Sequence, residues 1–351
     1  MSDLKVAHPS DEKNPIRNGN ASTRNPSGLD WGSNRFDAQC EDSLASRDKT
    51  PSRPFVSVVI PHFNDLDGLR VCHARLLAQT WPRERFEIVV ADNNSARGLQ
   101  AVREVAPCAL VVPAPIQGAG PARNAGVAAA RGDVIAFVDS DCVPEPDWIT
   151  EGVAALARFD FVGGRVFTFA HCPKRPNPVE SYEMVFNFNF RRYIETVGFT
   201  GTGNMFVPRQ VFDRVGGFRA VVAEDMEWSF RARALGYRLG YAERAVVGHP
   251  ARRSWAELKR RWARMLQEDY ALIQEQRYGR MRFALKALAM PASVLPHAAK
   301  VLFSPELPIM RSKFGAIAVL TRLRLWRSGR MLRLAADPTP PLGPSTESRP
   351  R

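Results

Sequence analysis

The sequence lacks any uninterrupted apolar run as long as the roughly 18 residues that a membrane-spanning helix needs. Its first residues are polar and contain no apolar core of a signal peptide, so we expect no export signal. Cysteine is scarce and never forms a Cys-x-x-Cys pair, which argues against a disulfide framework and against a zinc site. These absences favour a cytoplasmic protein. The five cysteines are Cys40, Cys72, Cys108, Cys142 and Cys172.

The excess of basic over acidic residues comes from the C-terminal part of the chain. The 351 residues carry a net charge of +13, and residues 252–333 contain 18 Lys and Arg against 5 Asp and Glu, which accounts for the whole surplus. Apolar runs alternate with basic residues there, as in amphipathic helices that lie on an anionic membrane. A solvated face that packs on the rest of the protein and a nucleic-acid site are the alternatives. We expect peripheral contact with the inner face of the cytoplasmic membrane and no nucleic-acid partner.

Composition divides the chain into four parts. Residues 1–53 and 336–351 are polar and show little apolar periodicity, which predicts disordered tails. Residues 54–250 alternate short apolar runs with helical stretches, which predicts an α/β domain with a mostly parallel sheet built from βαβ units. Residues 251–335 are expected to form a basic helical extension.

The same periodicity places the individual elements. Strands are predicted over residues 55–60, 86–91, 109–112, 134–138, 159–169 and 204–207, with an extended segment or strand pair over 237–247. Helices are predicted over residues 66–79, 121–131, 179–194, 224–235 and 255–278.

Two carboxylates follow the apolar strand 134–138, in the triplet Asp139-Ser140-Asp141. Ligands in open α/β sheets bind just beyond the carboxyl ends of the strands. Hard cations such as Mg²⁺ and Mn²⁺ take one or two carboxylates and leave their other positions to water and substrate phosphate. The triplet therefore predicts a divalent-metal site beside a polyphosphate, with a solvated loop as the alternative.

Polar residues also follow the first two predicted strands. Pro61, His62 and Asn64 follow the first, and Asp92 and Asn94 follow the second. Because these strand ends share an edge with the acidic triplet, a nucleotide would fit there. The alternative for Asp92 is that it only caps a turn.

A glycine-rich loop over residues 118–126 runs into a helix and is similar to a phosphate cradle at a helix N-terminus. Arg123 lies in the first turn of this helix, where a cation opposes the helix dipole. Contact with a pyrophosphate would explain it, and so would a salt bridge to Asp133 or another acid.

A second acidic pair, Glu224-Asp225, begins a predicted helix. A carboxylate within hydrogen-bond reach of an acceptor hydroxyl could act as a general base. The alternative is simple stabilisation of the helix N-terminus. His249 follows a strand-like run and is a candidate third metal ligand, although a lone histidine is more often structural.

In order and spacing, residues 56–64, 92–95, 118–141, 216–218 and 224–225 strongly resemble glycosyltransferase family 2, and the match covers roughly residues 55–250. The resemblance implies a GT-A fold, in which a Rossmann-like, doubly wound, mostly parallel sheet is flanked by helices. It also implies transfer of a sugar from a nucleotide-diphosphate donor with inversion at the anomeric carbon. It further implies that Asp92 contacts the donor base, Asp139 the ribose and Asp141 the metal. Asp225 of the acidic pair would be the catalytic base.

The chain departs from the processive polysaccharide synthases of this family. It has Lys259-Arg260-Arg261-Trp262 in place of their Gln/Arg-x-x-Arg-Trp motif and shows no clear membrane span. We therefore expect transfer of a single sugar to a glycan or lipid-linked acceptor in cell-envelope or polysaccharide biosynthesis. The alternatives are a nucleotidyltransferase of similar fold and a non-catalytic membrane-associated scaffold.

Overall fold

The computed structural model describes residues 53–219, 223–274 and 277–337. Within these ranges eight strands form one mixed sheet. The strands are β1 (Val56–His62), β2 (Phe86–Asp92), β3 (Leu110–Pro113), β4 (Val134–Val138), β5 (Val143–Pro144), β6 (Phe161–Phe169), β7 (Asn204–Pro208) and β8 (Leu239–Pro250). Their order across the sheet is β3-β2-β1-β4-β7-β6-β8-β5.

Twelve α-helices lie within the same ranges. They are α1 (Leu66–Leu77), α2 (Gly98–Val105), α3 (Ala119–Ala129), α4 (Trp148–Ala155), α5 (Pro178–Phe186), α6 (Phe190–Arg192), α7 (Arg209–Val215), α8 (Glu224–Ala234), α9 (Trp255–Gln274), α10 (Gly279–Ala289), α11 (Val294–Leu302) and α12 (Met310–Ala336). A π-helical turn, Tyr193–Val197, follows α6, and single 3₁₀ turns cover Arg83–Arg85 and Pro291–Ser293.

Strand direction brings the functional loops to one edge. Strands β1, β2, β3 and β4 run parallel to their neighbours, so their carboxyl ends lie together. Strand β7 is antiparallel to β4 and begins at the same edge, with Asn204 opposite Val138. The β6 and β8 strands are parallel to each other, and both continue past this edge as far as Phe169 and Pro250. Together they form a wall beside the strand ends.

Helices cover both faces of the sheet, because successive side chains of each buried strand point to opposite faces. On β1, Val58 packs with α1, α2 and α4, whereas Val59 packs with α3, α7 and α8. Trp148 of α4 and Trp228 of α8 are fully buried, one in each of these two layers. The predicted doubly wound arrangement is therefore present.

The C-terminal helices pack on the sheet-bearing part through α5. One apolar cluster joins α5 to α9, α11 and α12, and a second joins α9, α10 and α12. All described residues belong to one compact unit. Within the described ranges, no helix combines the length and hydropathy of a membrane span.

The structure differs from the sequence-based predictions in several elements. The single helix predicted over 179–194 is divided, because Asn187 ends α5 and the Asn189 side chain accepts the backbone N–H of Arg192 at the start of α6. Helices α2 and α4 were not predicted; each is only eight residues long. The extended segment 237–247 is one long strand, β8.

Two other sequence-based expectations concern the cysteines and the tails. Cys72, Cys142 and Cys172 are free, but Cys108 is disulfide-bonded, so the argument against disulfides was wrong at this residue. An odd number of scattered cysteines does not exclude a single bridge between two of them. The predicted tails lie outside the described residues, apart from residues 53, 336 and 337.

Candidate active site

The acidic triplet after β4 lies against His249 of β8. The Nε2 atom of His249 is 3.4 Å from the Oδ2 atom of Asp141. The two residues meet because β5, which begins directly after Cys142, pairs with β8 in a register that places Val143 opposite Gly248. The potential ligand atoms of Asp141, Cys142 and His249 all lie within 4.8 Å of one another. In the described part of the chain, this group is the one that could hold a metal ion.

The chemistry of these groups selects two of the three as ligands. The Nδ1–H of His249 donates to the Pro250 carbonyl at 2.8 Å, so Nε2 is the ring nitrogen that faces Asp141. Burial raises the pKa of the Cys142 thiol well above its usual range, and the carboxylates of Asp141 and Asp139 raise it further. Hard cations prefer oxygen to a protonated thiol. The donor set that fits Mg²⁺ or Mn²⁺ is therefore Asp141 with His249.

The Asp141 carboxylate is in a partly enclosed, acidic environment. Its side chain is 37% exposed, so one side can face a ligand. Burial by the surrounding protein atoms nevertheless raises its pKa, and Asp139 and Asp65 add to the increase while His249 opposes it. A bound cation would offset this clustering of negative charge.

Arg123 joins the acidic triplet to the second acidic pair. Its Nη2 atom donates to Asp139 Oδ1 at 2.8 Å, and its Nη1 atom donates to Glu224 Oε1 at 2.9 Å. The arginine side chain is only 6% exposed. Of the two explanations for this arginine, the structure shows the salt bridge. Its partners are Asp139 and Glu224, whereas Asp133 accepts the backbone N–H of Phe55 at 2.9 Å.

The acidic pair begins α8, and the Asp225 side chain accepts the backbone N–H of Met226 in its first turn at 2.8 Å. The preceding residue, Ala223, has a left-handed backbone (φ 53°) and provides no side-chain capping hydrogen bond. Burial raises the pKa of Asp225 to about 6, and the neighbouring Glu224 contributes to the increase while Arg123 opposes it. Asp225 therefore has the pKa of a group that can accept a proton near neutral pH.

The loops after β1 and β2 form a hydrogen-bonded unit. Asp92 accepts from His62 Nδ1 at 2.9 Å and from the Ser95 backbone N–H at 3.2 Å. The backbone N–H of Asp65 donates to His62 Nε2, which fixes the proton of His62 on Nδ1. Asp92 is 3% exposed. Its turn-capping role is therefore present, and its contact with a nucleotide base stays a prediction.

Two asparagines shape this unit further. Asn64 and Asn94 both have left-handed backbones (φ 56° and 64°), which asparagine tolerates better than most residues. The Asn64 side chain accepts the Ala96 backbone N–H at 2.8 Å, and the Asn94 side chain donates to the Pro115 carbonyl at 2.9 Å. These bonds tie the loops after β1, β2 and β3 together. The sequence-predicted residues Pro61 and Ser140 lie at the same edge, where Pro61 is opposite Ala91.

Comparison with known proteins identifies the family. Residues 57–222 match the model of Glycosyl transferase family 2. The chain is 32% identical over 213 residues to glycosyltransferase AglE of Haloferax volcanii, which covers 58% of this chain and 69% of the relative. The chain belongs to glycosyltransferase family 2. It is therefore an enzyme that transfers glycosyl groups, and the comparisons favour this activity over the scaffold and nucleotidyltransferase alternatives.

More distant relatives agree with this family 2 assignment. The pre-mycofactocin glycosyltransferase of Mycobacterium tuberculosis is 29% identical over 238 residues, which is 62% of this chain and 48% of that protein. The chain thus spans about half the length of this relative. The mannosyltransferase PcManGT from Pyrobaculum calidifontis, solved in complex with GDP-Man and Mn²⁺, superposes with a TM-score of 0.50 at 21% identity. That match covers 79% of this chain and 88% of the other, and it confirms the expected GT-A fold.

Sequence reasoning missed several contributors to the site of this family 2 enzyme. Asn93 donates to the carbonyls of Ala114 and Ile116 and accepts from the Gly118 backbone N–H, so it holds the glycine-rich loop. Its position between Asp92 and Asn94, which the sequence analysis did select as site residues, could have indicated that Asn93 belongs to the site. The ring of Phe188 lies 4.8 Å from the His249 ring, and no local pattern indicated that contact.

Replacing Arg123 should destabilise the protein in a pH-dependent way. Arg123→Met leaves Asp139 and Glu224 without their shared cation, and we expect a loss of about 1–3 kcal/mol in the free energy of unfolding at pH 7. The loss should be smaller at pH 5, because protonation relieves the unpaired carboxylates.

Denaturant unfolding at both pH values measures this effect. Arg131→Met is the matched control: its side chain is 76% exposed and pairs with Glu87, so its loss should be below about 1 kcal/mol. Equal losses for the two variants would contradict the role assigned to Arg123.

Proposed function

We propose that this protein is an inverting glycosyltransferase that moves a single sugar from a nucleotide-diphosphate donor to a glycan or lipid-linked acceptor, with Asp225 as the general base. The observation that carries the proposal is the position of Asp225. Asp225 lies in the first turn of α8, and its pKa is raised to about 6. Arg123 donates to Glu224 of the same turn and to Asp139 of the acidic triplet. These hydrogen bonds fix the position of the proposed base relative to the proposed donor site.

Inversion requires one in-line displacement at the anomeric carbon. Asp225 takes the proton of the acceptor hydroxyl as that oxygen attacks, while the nucleoside diphosphate leaves from the opposite face. A carboxylate with a pKa near 6 is ionised at neutral pH and is still basic enough to accept the proton. Glu224, held by Arg123, adds negative charge beside Asp225 and so helps to keep the pKa raised.

The donor is proposed to lie along the strand ends. In this arrangement the base of the nucleotide lies against the loop fixed by His62 and Asp92, and the ribose lies near Asp139 and Ser140. Asn64 and Asn94 hold that loop in shape through their backbone conformations and side-chain hydrogen bonds. The glycine-rich loop, held by Asn93, supplies backbone near the diphosphate.

Asp141 and His249 are proposed to hold a divalent metal, Mn²⁺ or Mg²⁺. Their oxygen and nitrogen donors, the fixed His249 tautomer and the acidic surroundings suit such an ion. The likeness to a mannosyltransferase solved with GDP-Man and Mn²⁺ supports a divalent metal. When bound, the ion would neutralise the charge that develops on the leaving diphosphate. Asp141 and His249 serve to fix its place beside Asp139.

Metal binding can be tested directly by titration calorimetry of the full chain with Mn²⁺. Asp141→Asn and His249→Ala should each weaken Mn²⁺ binding by at least about tenfold, because each removes a ligand. His171→Ala, which changes an exposed histidine elsewhere, should leave the affinity unchanged. Unchanged Mn²⁺ affinity in both site variants would exclude this metal site.

The proposed base predicts a pH profile for sugar transfer. Asp225 must be ionised, so kcat/KM should rise tenfold per pH unit below about pH 6 and level off above it. Asp225→Asn should lower kcat by about 10²–10⁴-fold and abolish that rising limb.

The matched control for the base is Asp213→Asn, which makes the same change at an exposed position on α7. It should keep both the rate and the profile of the natural chain. An Asp225→Asn variant that retained the rising limb would assign the titration to another group.

The basic C-terminal helices are proposed to contact the inner face of the cytoplasmic membrane, where a lipid-linked acceptor of envelope or polysaccharide synthesis would be available. Met281, Leu285 and Leu288 lie on one face of α10 at helical spacing, and each is more than half exposed. Arg282 and Lys286 are exposed on the same helix. Exposed apolar side chains flanked by cations suit an anionic bilayer surface.

Vesicle flotation tests this contact. The double variant Leu285→Ser/Leu288→Ser should bind phosphatidylglycerol vesicles at least about fivefold more weakly than the natural chain, because it removes most of the apolar anchor on α10. Leu235→Ser, which changes an equally exposed leucine after α8, is the control and should bind normally. Natural protein that fails to bind these vesicles would contradict the proposal.

A further inference from the structure

A cleft beside the wall formed by β6 and β8 is lined in part by aromatic rings. Its volume is about 490 Å³, which lies within the range of small-molecule sites in proteins. We call it the aromatic cleft. The rings come from two strands, from the segment around α6 and from the C-terminal helical part of the chain. They belong to Phe167, Phe188, Phe190, Tyr241 and Phe303.

The C-terminal helical part supplies one side of the aromatic cleft. Lys300 of α11 and residues 303–306, which follow that helix, line it together with residues of β6 and α5. Phe303 is 86% exposed, the highest value among the large apolar side chains of the described residues. Covering such a ring with a ligand is favourable, because it removes apolar surface from water. This side of the cleft lies beyond residues 57–222, which match the family model.

The aromatic cleft adjoins the proposed metal site. Thr168 of β6 lines the cleft and is the register partner of His249 on β8. Paired strands lie only about 4.8 Å apart. The Phe188 ring also lines the cleft, and its centre is 4.8 Å from the centre of the His249 ring. A molecule in the cleft would therefore lie beside one of the two proposed metal ligands.

The loop before β7 connects the aromatic cleft with the proposed base. A Cβ atom at Gly201 would lie 2.7 Å from the Phe190 ring, so this ring packs directly against the loop. The backbone N–H of Thr200 donates to Ser229 Oγ at 3.3 Å, and Ser229 Oγ donates to the Asp225 carbonyl at 2.8 Å. One loop thus contacts both the cleft lining and the first turns of α8.

The mixed lining of the cleft suits a sugar better than a hydrocarbon chain. A sugar ring has faces made of C–H groups, which can stack on aromatic rings, and a rim of hydroxyls. Besides its aromatic rings, the cleft is lined by the exposed charged residues Arg165, Arg191 and Glu306. A hydrocarbon chain would displace water from such groups without replacing its hydrogen bonds, which is unfavourable. Sugar hydroxyls can replace them.

We propose that the aromatic cleft binds a sugar residue of the acceptor, so that the preferred acceptor is an oligosaccharide. The inference rests on the proposed glycosyl transfer and specifies its acceptor. The sugar that accepts the new residue lies beside Asp225, and a neighbouring sugar of the same acceptor occupies the cleft, where it stacks on Phe303. The C-terminal helical part of the chain thereby takes part in acceptor selection.

The first test measures sugar binding without turnover. Saturation-transfer difference NMR of the full chain with a panel of methyl hexosides and methyl disaccharides should detect binding of at least one disaccharide, which becomes the probe. In a titration, Phe303→Ala should weaken binding of this disaccharide by about fivefold or more, because a stacking ring is lost. The matched control, Phe314→Ala, makes the same change at an exposed position outside the cleft lining and should bind normally.

Two other replacements of Phe303 identify the class of ligand. Phe303→Trp keeps an aromatic face and should bind the disaccharide within about twofold of the natural chain. Phe303→Leu keeps an apolar side chain but removes the ring, and should bind as weakly as Phe303→Ala. Natural affinity in Phe303→Leu would assign the cleft to a hydrocarbon chain. Weaker binding of Phe303→Ala to phosphatidylglycerol vesicles, with unchanged disaccharide affinity, would assign Phe303 to the membrane. Either result overturns the proposal, as does a panel in which no disaccharide binds.

The final comparison is made in the transfer reaction. The natural chain should have a higher kcat/KM for the selected disaccharide than for the corresponding methyl hexoside. Phe303→Ala should raise the KM of the disaccharide by about fivefold and leave the donor KM unchanged. Equal efficiency with both acceptors, or an equal effect of Phe314→Ala, would overturn the inference while leaving glycosyl transfer intact. Metal-dependent binding of UDP or GDP, measured separately on the natural chain, shows whether the proposed function itself has failed.

Discussion

The candidate site depends on a single buried cation. Arg123 donates to Asp139, directly after β4, and to Glu224 at the start of α8, two residues that lie far apart in the sequence. Because Arg123 lies on α3, one side chain fixes the glycine-rich loop, the strand-end triplet and the acidic pair relative to one another. Burial and Glu224 raise the pKa of Asp225, and Arg123 opposes this increase.

One arginine does not neutralise the nearby acids. Asp139, Glu224 and Asp225 lie around it, and burial raises the pKa values of both Asp225 and Asp141. Nearby carboxylates add to both increases, and a divalent cation at Asp141 would offset this negative charge.

The basic C-terminal helices illustrate how one segment can satisfy several demands. Their apolar faces pack on α5 and on each other, so they form part of the folded body. The segment after α11 contributes Phe303 to the lining of the aromatic cleft, and one face of α10 leaves apolar side chains in solvent. From the sequence alone, packing on the catalytic part and contact with a membrane were alternative explanations for these basic helices. The structure shows the packing, and the proposed membrane contact uses a different face.

The sequence by itself determined the α/β class, six of the eight strands to within about two residues, and the carboxylates at their ends, because burial periodicity and strand-end chemistry are local. It did not determine α2, α4 or β5, which are too short to leave a strong pattern. Only the tertiary structure decided that Arg123 pairs with Glu224, 101 residues away, and that His249 meets Asp141 through the pairing of β5 with β8. Such contacts depend on strand order and register, which no short window of sequence specifies.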